Sequence, residues 1–347
     1  MSASIRNIIL VLMAAIFTGC SLVDEDLSDC GTEYSLNYEL TLVTNVSTEI
    51  STQLETTLST ELELSAALAL REYLKNIFTD YAHDVDLSFY DVVEDSVRLH
   101  HEEHIMNANQ SSYTLYIPVR KYMHTALANL TENAVVQVVD GDYCHREKLQ
   151  QVVQDTLNSH TTGLFSARQY MDIQEGVDQN FEVRLYMANS ATAILVDTTG
   201  SHIRDLKVFA TGFATDFSVC DSLYRFNASP VFRMDKLKLT EDGGCCFASV
   251  HFPSRGVEDT KIIIDGDDSF VDASSESALW QLKAYVTMED GTVTESILGI
   301  NEPLRAGELK ILKGKVVGNG AILPSDPTVA VSITLDWSEG IEIPVDL

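Results

Sequence analysis

Five consecutive residues, His100-His101-Glu102-Glu103-His104, hold the densest metal-binding chemistry in the chain. His100-x-x-Glu103-His104 has the spacing in which two imidazoles grip zinc and a carboxylate serves a bound water. That chemistry needs a helix, so that both rings share a face. Here the preceding residues, 93–99, read as a strand, and a polar Asn/Gln/Ser passage follows. In an extended chain His100, Glu102 and His104 share one face and Glu103 turns away. The segment therefore reads as a solvated strand end, and a metal-dependent hydrolase is the weaker alternative. Three imidazoles there would also make the surface charge respond to pH near neutrality.

Other reactive constellations are thin. No Gly-x-Ser-x-Gly, Gly-x-x-x-x-Gly-Lys or Gly-x-Gly-x-x-Gly occurs, so a hydrolase elbow and a nucleotide loop both lack their glycines. Asp265-Gly266-Asp267-Asp268 carries part of a calcium-loop pattern without its closing Glu, and reads as a turn after Ile262-Ile263-Ile264. No catalytic residue, resident metal or cofactor is expected.

Cys20 is more informative than any of these. It follows an apolar run at residues 8–17, with Arg6 before it. A run of about ten residues is too short to span a bilayer and fits the core of a secretion signal. Phe17-Thr18-Gly19-Cys20 resembles the lipobox of bacterial lipoproteins, with Phe17 in place of the usual Leu. That resemblance implies a signal at 1–19, removal before Cys20, and a lipid on its sulfur. Asp24-Glu25-Asp26 follows closely and resembles the acidic signal that sends lipoproteins to the outer surface of Bacteroidota-type bacteria.

The chain has 347 residues and a formal charge of −29. That charge repels phosphate backbones and anionic lipid, so no nucleic acid partner is expected and a lipid would have to hold the protein to a membrane. The chain has six cysteines. With Cys20 lipidated, five remain, and an odd count leaves one over. The expected pairs are Cys30 with Cys144, and Cys220 with Cys245 or Cys246. No Cys-x-x-Cys is present to suggest a zinc ribbon.

Residues 20–33 read as a tether. Tyr34, Leu36, Tyr38, Leu40 and Leu42 then alternate with polar residues, the period of a half-buried strand. A Ser/Thr-rich passage leads to Leu62, Ala66, Leu70, Tyr73, Leu74 and Ile77 at helical spacing, with Thr60 and Glu63 placed as a capping box. Its apolar face is expected to cover an open sheet. Further strands are expected at 85–89, 112–117, 122–130, 134–139 and 181–187, with 144–176 as loops and short helical turns. Past a boundary at Asn189-Ser190 the alternation restarts at 192–196, 203–211, 231–239 and 245–252. A hairpin at 280–297 turns on Asp290-Gly291. Strands at 308–317 and 329–337 follow, separated by a loop at 318–327. Many short strands and one helix indicate an all-β chain of sandwiches, divided as 34–189, with a helical insertion at about 48–79, and 190–347.

The order of these features resembles the fimbrial anchoring-subunit family of Bacteroidales type V pili, which includes the FimB-like anchors. The residues that carry the likeness are Cys20 with Asp26-Leu27-Ser28-Asp29-Cys30, Leu115 to Tyr122 leading to Ala126-Leu127-Ala128-Asn129-Leu130, the 181–196 stretch, and Asp336-Trp337. The resemblance implies two tandem transthyretin-like Greek-key sandwiches, a lipid-held base at the outer membrane, a fimbrial stalk subunit as partner, and no catalysis. Ile341, Ile343, Val345 and Leu347 alternate with Glu342, Pro344 and Asp346. They are read either as the closing strand of the second sandwich or as a strand donated to a neighbour. Pro344 lacks an amide donor and suits an edge. The alternative function is a surface lipoprotein that binds glycan or host protein.

Overall fold

The computed structural model describes residues 33–43, 60–75, 84–256 and 278–336, apart from short internal breaks. Cys20, Cys30, residues 265–268 and the strand expected at 341–347 lie outside the described residues. In the first half the elements are β1 (Glu33–Val43), α1 (Glu61–Leu74), β2 (Asp84–Asp91), β3 (Arg98–Ile105), β4 (Ser112–Pro118), β5 (Lys121–Ala128), β6 (Val136–Val139), β7 (Lys148–Gln151), β8 (Phe165–Asp172) and β9 (Gln179–Met187). The second half contains β10 (Ser190–Asp197), β11 (Ile203–Thr211), β12 (Asp216–Ser218), β13 (Leu223–Arg225), β14 (Phe232–Arg233), β15 (Asp235–Leu237), β16 (Gly244–His251), β17 (Trp280–Met288), β18 (Val293–Ile300), β19 (Leu309–Val316), β20 (Ile322–Pro324) and β21 (Ala330–Asp336).

These strands form four sheets. A seven-stranded sheet has the order β3-β2-β5-β8-β9-β1-β4, and two five-stranded sheets run β15-β16-β10-β19-β20 and β14-β11-β17-β18-β21. The fourth, β13-β12-β7-β6, draws two strands from each half of the chain. The expected class, mainly β with sandwiches and one helix, is the class observed.

Alternation decides which core each side chain enters. On β10, Ile194 and Val196 point into the core between the two five-stranded sheets, with Phe247, Leu282, Val286, Leu298 and Leu312. Its other face, Ala191, Ala193 and Leu195, joins a second core with α1 and the seven-stranded sheet, through Leu70, Leu74, Leu87, Phe165 and Leu185. β10 is thus buried on both sides, and its small alanines leave room for the helix. Each large apolar side chain so enclosed contributes about 1.5–3 kcal/mol.

The helix forms where its sequence says it should. Thr60 caps it, its hydroxyl accepting from the Glu63 amide at 3.2 Å while Glu63 Oε2 accepts from the Thr60 amide at 2.8 Å. Ala66, Leu70 and Leu74 face the core. The helix covers an open sheet face, as expected, and also ties the two halves together. Glu63 Oε1 meets Lys313 Nζ of β19 at 2.6 Å. Ser65 Oγ accepts from the Thr240 and Glu241 amides. The Tyr73 hydroxyl bridges Asp235 Oδ2 at 2.7 Å and Ser159 Oγ at 2.8 Å.

Several expectations need correction. The stretch 144–176 holds β7 and β8 rather than loops alone. β7 has four residues and pairs with β12, far along the chain, so local pattern barely registers it. The single strand expected at 231–239 is two, because the chain changes sheets at Met234: β14 pairs with β11, and β15 with β16. The loop at 318–327 contains β20, paired to β19. The disulfide joins Cys144 to Cys220, not Cys144 to Cys30 or Cys220 to Cys245. Antiparallel pairing of Lys148 with Ser218 draws the residues just outside β7 and β12 to a Cα separation of 5.7 Å. Cys245 and Cys246 are held on β16, opposite Val196 and Leu195, and both are free thiols. Burial pushes the Cys246 thiol up to about 12.

Leu70 is fully enclosed where the helix meets both sheets. Leu70→Ala should lower unfolding stability by about 2–5 kcal/mol in urea denaturation. Gly163→Ala should also destabilise, since its added methyl would sit 1.9 Å from the Ile77 carbonyl oxygen.

Candidate functional site

The His/Glu segment lies on β3, an edge strand of the seven-stranded sheet, and not on a helix. Register places His100 beside Phe89 and His101 beside Ser88. The His100 ring contacts Phe89 at 5.7 Å between centroids, and His101 Nδ1 lies 3.0 Å from Ser88 Oγ. Glu103 stands opposite Asp86. The strand does not give His100 and Glu103 the common face that a zinc-bound water requires. Among the described residues no group of three or more His, Cys, Asp or Glu is placed to hold a metal ion.

The densest polar construction is at the junction of the two halves, on the residue read as their boundary. Asn189 is fully buried. Its Oδ1 accepts from the Leu164 amide at 2.5 Å, its Nδ2 meets His160 Nδ1 at 2.9 Å, and its carbonyl accepts from the Gly307 amide at 2.7 Å. This one residue, through side chain and backbone together, thus joins the β7–β8 connection, the start of β10 and the β18–β19 connection. His251, at the end of β16, completes the cluster. Its Nδ1 lies 2.8 Å from the Phe252 carbonyl and its Nε2 3.1 Å from Thr192 Oγ1. Its ring stacks on Phe213. Phe232 and Phe252 close around His160. Burial holds His160 and His251 down to about 3, and their mutual repulsion adds to this for His160. His124, stacked on Phe89 in the seven-stranded sheet, is lowered to about 3 by the same cause.

A second lock sits beside the Cys144–Cys220 bridge. Glu147 is buried between the seven- and four-stranded sheets and accepts from Thr125 Oγ1 at 2.6 Å. Burial raises its pKa against the pull of that hydrogen bond. Arg168 Nη1 donates to the Cys220 carbonyl. Sequence reasoning missed this region because β12 and β13 are three residues each. The local signal available was the Asp221-Ser222 turn, where Ser222 takes φ 53°.

The four-stranded sheet roofs one part of the seven-stranded sheet on the face away from α1. Beyond the roof, among the described residues, Tyr116, Tyr170 and Tyr186 stand on that face at 59%, 69% and 56% exposure. Glu182, Arg184 and Asn180 lie among them on β9. A cleft of about 380 Å³ opens beside the β18–β19 connection, lined by Trp280, Pro303, Leu304, Arg305 and Leu309 with Glu302, Glu308 and Lys310. It brings no nucleophile and base together.

No family model matches the chain, and no curated protein matches it. Solved structures do overlay on it. A candidate adhesin from Bacteroides ovatus is similar with a TM-score of 0.52 and 10% identity, over 93% of this chain and 99% of that one. A candidate polysaccharide-binding protein from Bacteroides thetaiotaomicron is similar with a TM-score of 0.51 and 11% identity, over 85% and 96%. The fimbrial anchor protein Mfa2 from Porphyromonas gingivalis overlays at 0.48 with 10% identity, over 87% and 99%, which is too loose to extend the comparison. The chain has the fold of these two Bacteroides proteins; at such identities the likeness is one of fold alone.

The buried imidazoles set a pH dependence. Their folded pKa values lie below the ordinary 6.5, so between about pH 3 and 6.5 the unfolded chain binds more protons. Stability from His124, His160 and His251 is therefore fully present above 6.5 and lost as pH falls. At pH 5 the loss is about 2 kcal/mol for each that stays neutral while folded. Glu147 acts oppositely, losing its contribution as pH rises through its raised value. Urea midpoints across pH 4–8 should fall on the acid side, and His251→Gln should flatten that slope by the share of one proton. An unchanged slope would show that His251 does not titrate this way.

Proposed function

We propose that this protein is a surface lipoprotein that moors a fimbrium and performs no covalent chemistry. Cys20 carries the lipid and residues 20–33 form the tether. Residues 34–189 and 190–347 are two sandwich modules, and Ile341, Ile343, Val345 and Leu347 form a strand offered to a stalk subunit. The observation that carries this reading is the overlay of nearly the whole described fold on a Bacteroides candidate adhesin, in a chain that opens with a lipobox-like Cys20 and an acidic cluster. Geometry supports the last part. β21 is the edge strand of its sheet, bonded among the described residues only to β18, so the chain that follows it starts from an open edge. One acyl chain binds a membrane only marginally, so the attachment needs the several chains of a mature bacterial lipoprotein.

A second reading is favoured by the exposed tyrosines. Exposed aromatic rings interleaved with Asn180, Glu182 and Arg184 are the surface a neutral glycan would use, and the overlay on a candidate polysaccharide-binding protein is consistent with it. Under this reading Tyr170→Ala with Tyr186→Ala abolishes glycan-array binding and leaves fimbriation intact.

For the mooring reading, Cys20→Ala should release the protein from the outer-membrane fraction, and cells should shed fimbriae into the medium. Deleting residues 340–347 should leave a folded, membrane-held protein that no longer retains fimbriae. Retention unchanged by the deletion excludes strand donation. Retention unchanged by Cys20→Ala excludes the lipid mooring itself.

A further inference from the structure

The chain enters and leaves the described fold at opposite ends. β1 runs parallel to β9 through eight register pairs, from Leu36 beside Gln179 to Val43 beside Tyr186. β9 ends at Met187, two residues before Asn189, so Val43 is the end of β1 nearer the junction and Glu33 the end away from it. β10 starts at the junction and runs parallel to β19, from Ala191 beside Leu309 to Asp197 beside Lys315. The β18–β19 connection returns to the junction, where Gly307 bonds Asn189 and Glu308 bonds Ala191. The Ile300 end of β18 is therefore proximal. β21 lies antiparallel to β18, with Ala330 beside Gly299 and Asp336 beside Val293. Asp336 is thus the distal end of β21.

We infer that the fold is a tension-bearing tie, in which a pull between the two ends of the chain loads β1 and β21 along their own axes. Each strand would have to slide past neighbours held at the junction, so its ladder bonds are strained together and none can open alone. Peeling a strand sideways breaks the same bonds one after another, each weak on its own. β1 is held on both sides, by the parallel ladder to β9 and by seven antiparallel pairs to β4. β21 has one ladder among the described residues, of seven pairs. It is the strand that yields first. The junction behind these strands is reinforced by the mixed four-stranded sheet and by the Cys144–Cys220 bridge, so the halves do not part before the strands slide.

The inference rests on the mooring reading only for the load that would reach the protein; the resistance follows from the registers. Single-molecule force spectroscopy on the purified full chain separates the two. One set of molecules is pulled through handles at the chain ends. A second is pulled through handles at His202 and Glu289, which sit side by side at the end of the β11–β17 ladder and would unzip it. At equal loading rate the end-to-end pull should require a severalfold higher force, with the first yield releasing the segment from β21 onward. Equal or lower end-to-end force overturns the tie and leaves mooring untouched. Shedding of fimbriae that does not depend on Cys20 overturns mooring and leaves the tie standing.

Discussion

The burial of β10 on both faces is the constraint on which the rest depends. A strand offers two faces because successive side chains point opposite ways. Some strands, such as β8 and β9, use one face for a core and give the other to solvent, whereas β5 and β16 are enclosed on both sides as β10 is. β10 gives Ile194 and Val196 to one core and Ala191, Ala193 and Leu195 to another. That arrangement needs a cover on each side. The sheet containing β17 supplies one, and α1, backed by the seven-stranded sheet, supplies the other. The helix is therefore a shared wall, and its polar edge residues Glu63, Ser65 and Tyr73 reach across to Lys313, Thr240 and Asp235. The two halves of the chain thereby share one packed body.

The same logic accounts for the mixed four-stranded sheet. β12 and β13 come from the second half of the chain but complete a layer over the first, and Phe217, Val219 and Tyr224 enter a core with Leu127, Leu149 and Leu164. The disulfide closes this exchange. In the loop-entropy model a cross-link over 76 residues is worth about 4.5 kcal/mol. Asn189 and the two imidazoles then fix the pivot in a pocket of phenylalanine rings, where burial disfavours a charged ring.

Much of this was legible in the residues. The hairpin strand Trp280–Met288 shows clean alternation and appears at the expected bounds. The helix was readable from its cap and its leucine spacing, because both are local signals. β8 escaped although it has eight residues, because Gln169 breaks the apolar alternation of Phe165, Ala167 and Met171; the rest of what escaped was short. β7, β12 and β13 have too few residues to establish a period, and they form one sheet only because β7 pairs with β12 far along the chain. The cysteine pairing failed for the same reason: composition counts thiols, while partnership depends on which strands lie side by side. The role of Asn189 was equally hidden. A polar residue at a break in the pattern looks like a solvated hinge, and only tertiary contacts turn it into a pin.

The bridge between Cys144 and Cys220 has a consequence for what a protease cut would do to the chain. It makes the chain a closed ring between those two positions. A single cleavage anywhere inside the ring opens a loop without separating the pieces, since the sulfur link still joins what lies before Cys144 to what lies after Cys220. A nicked molecule keeps one continuous covalent route from its first residue to its last.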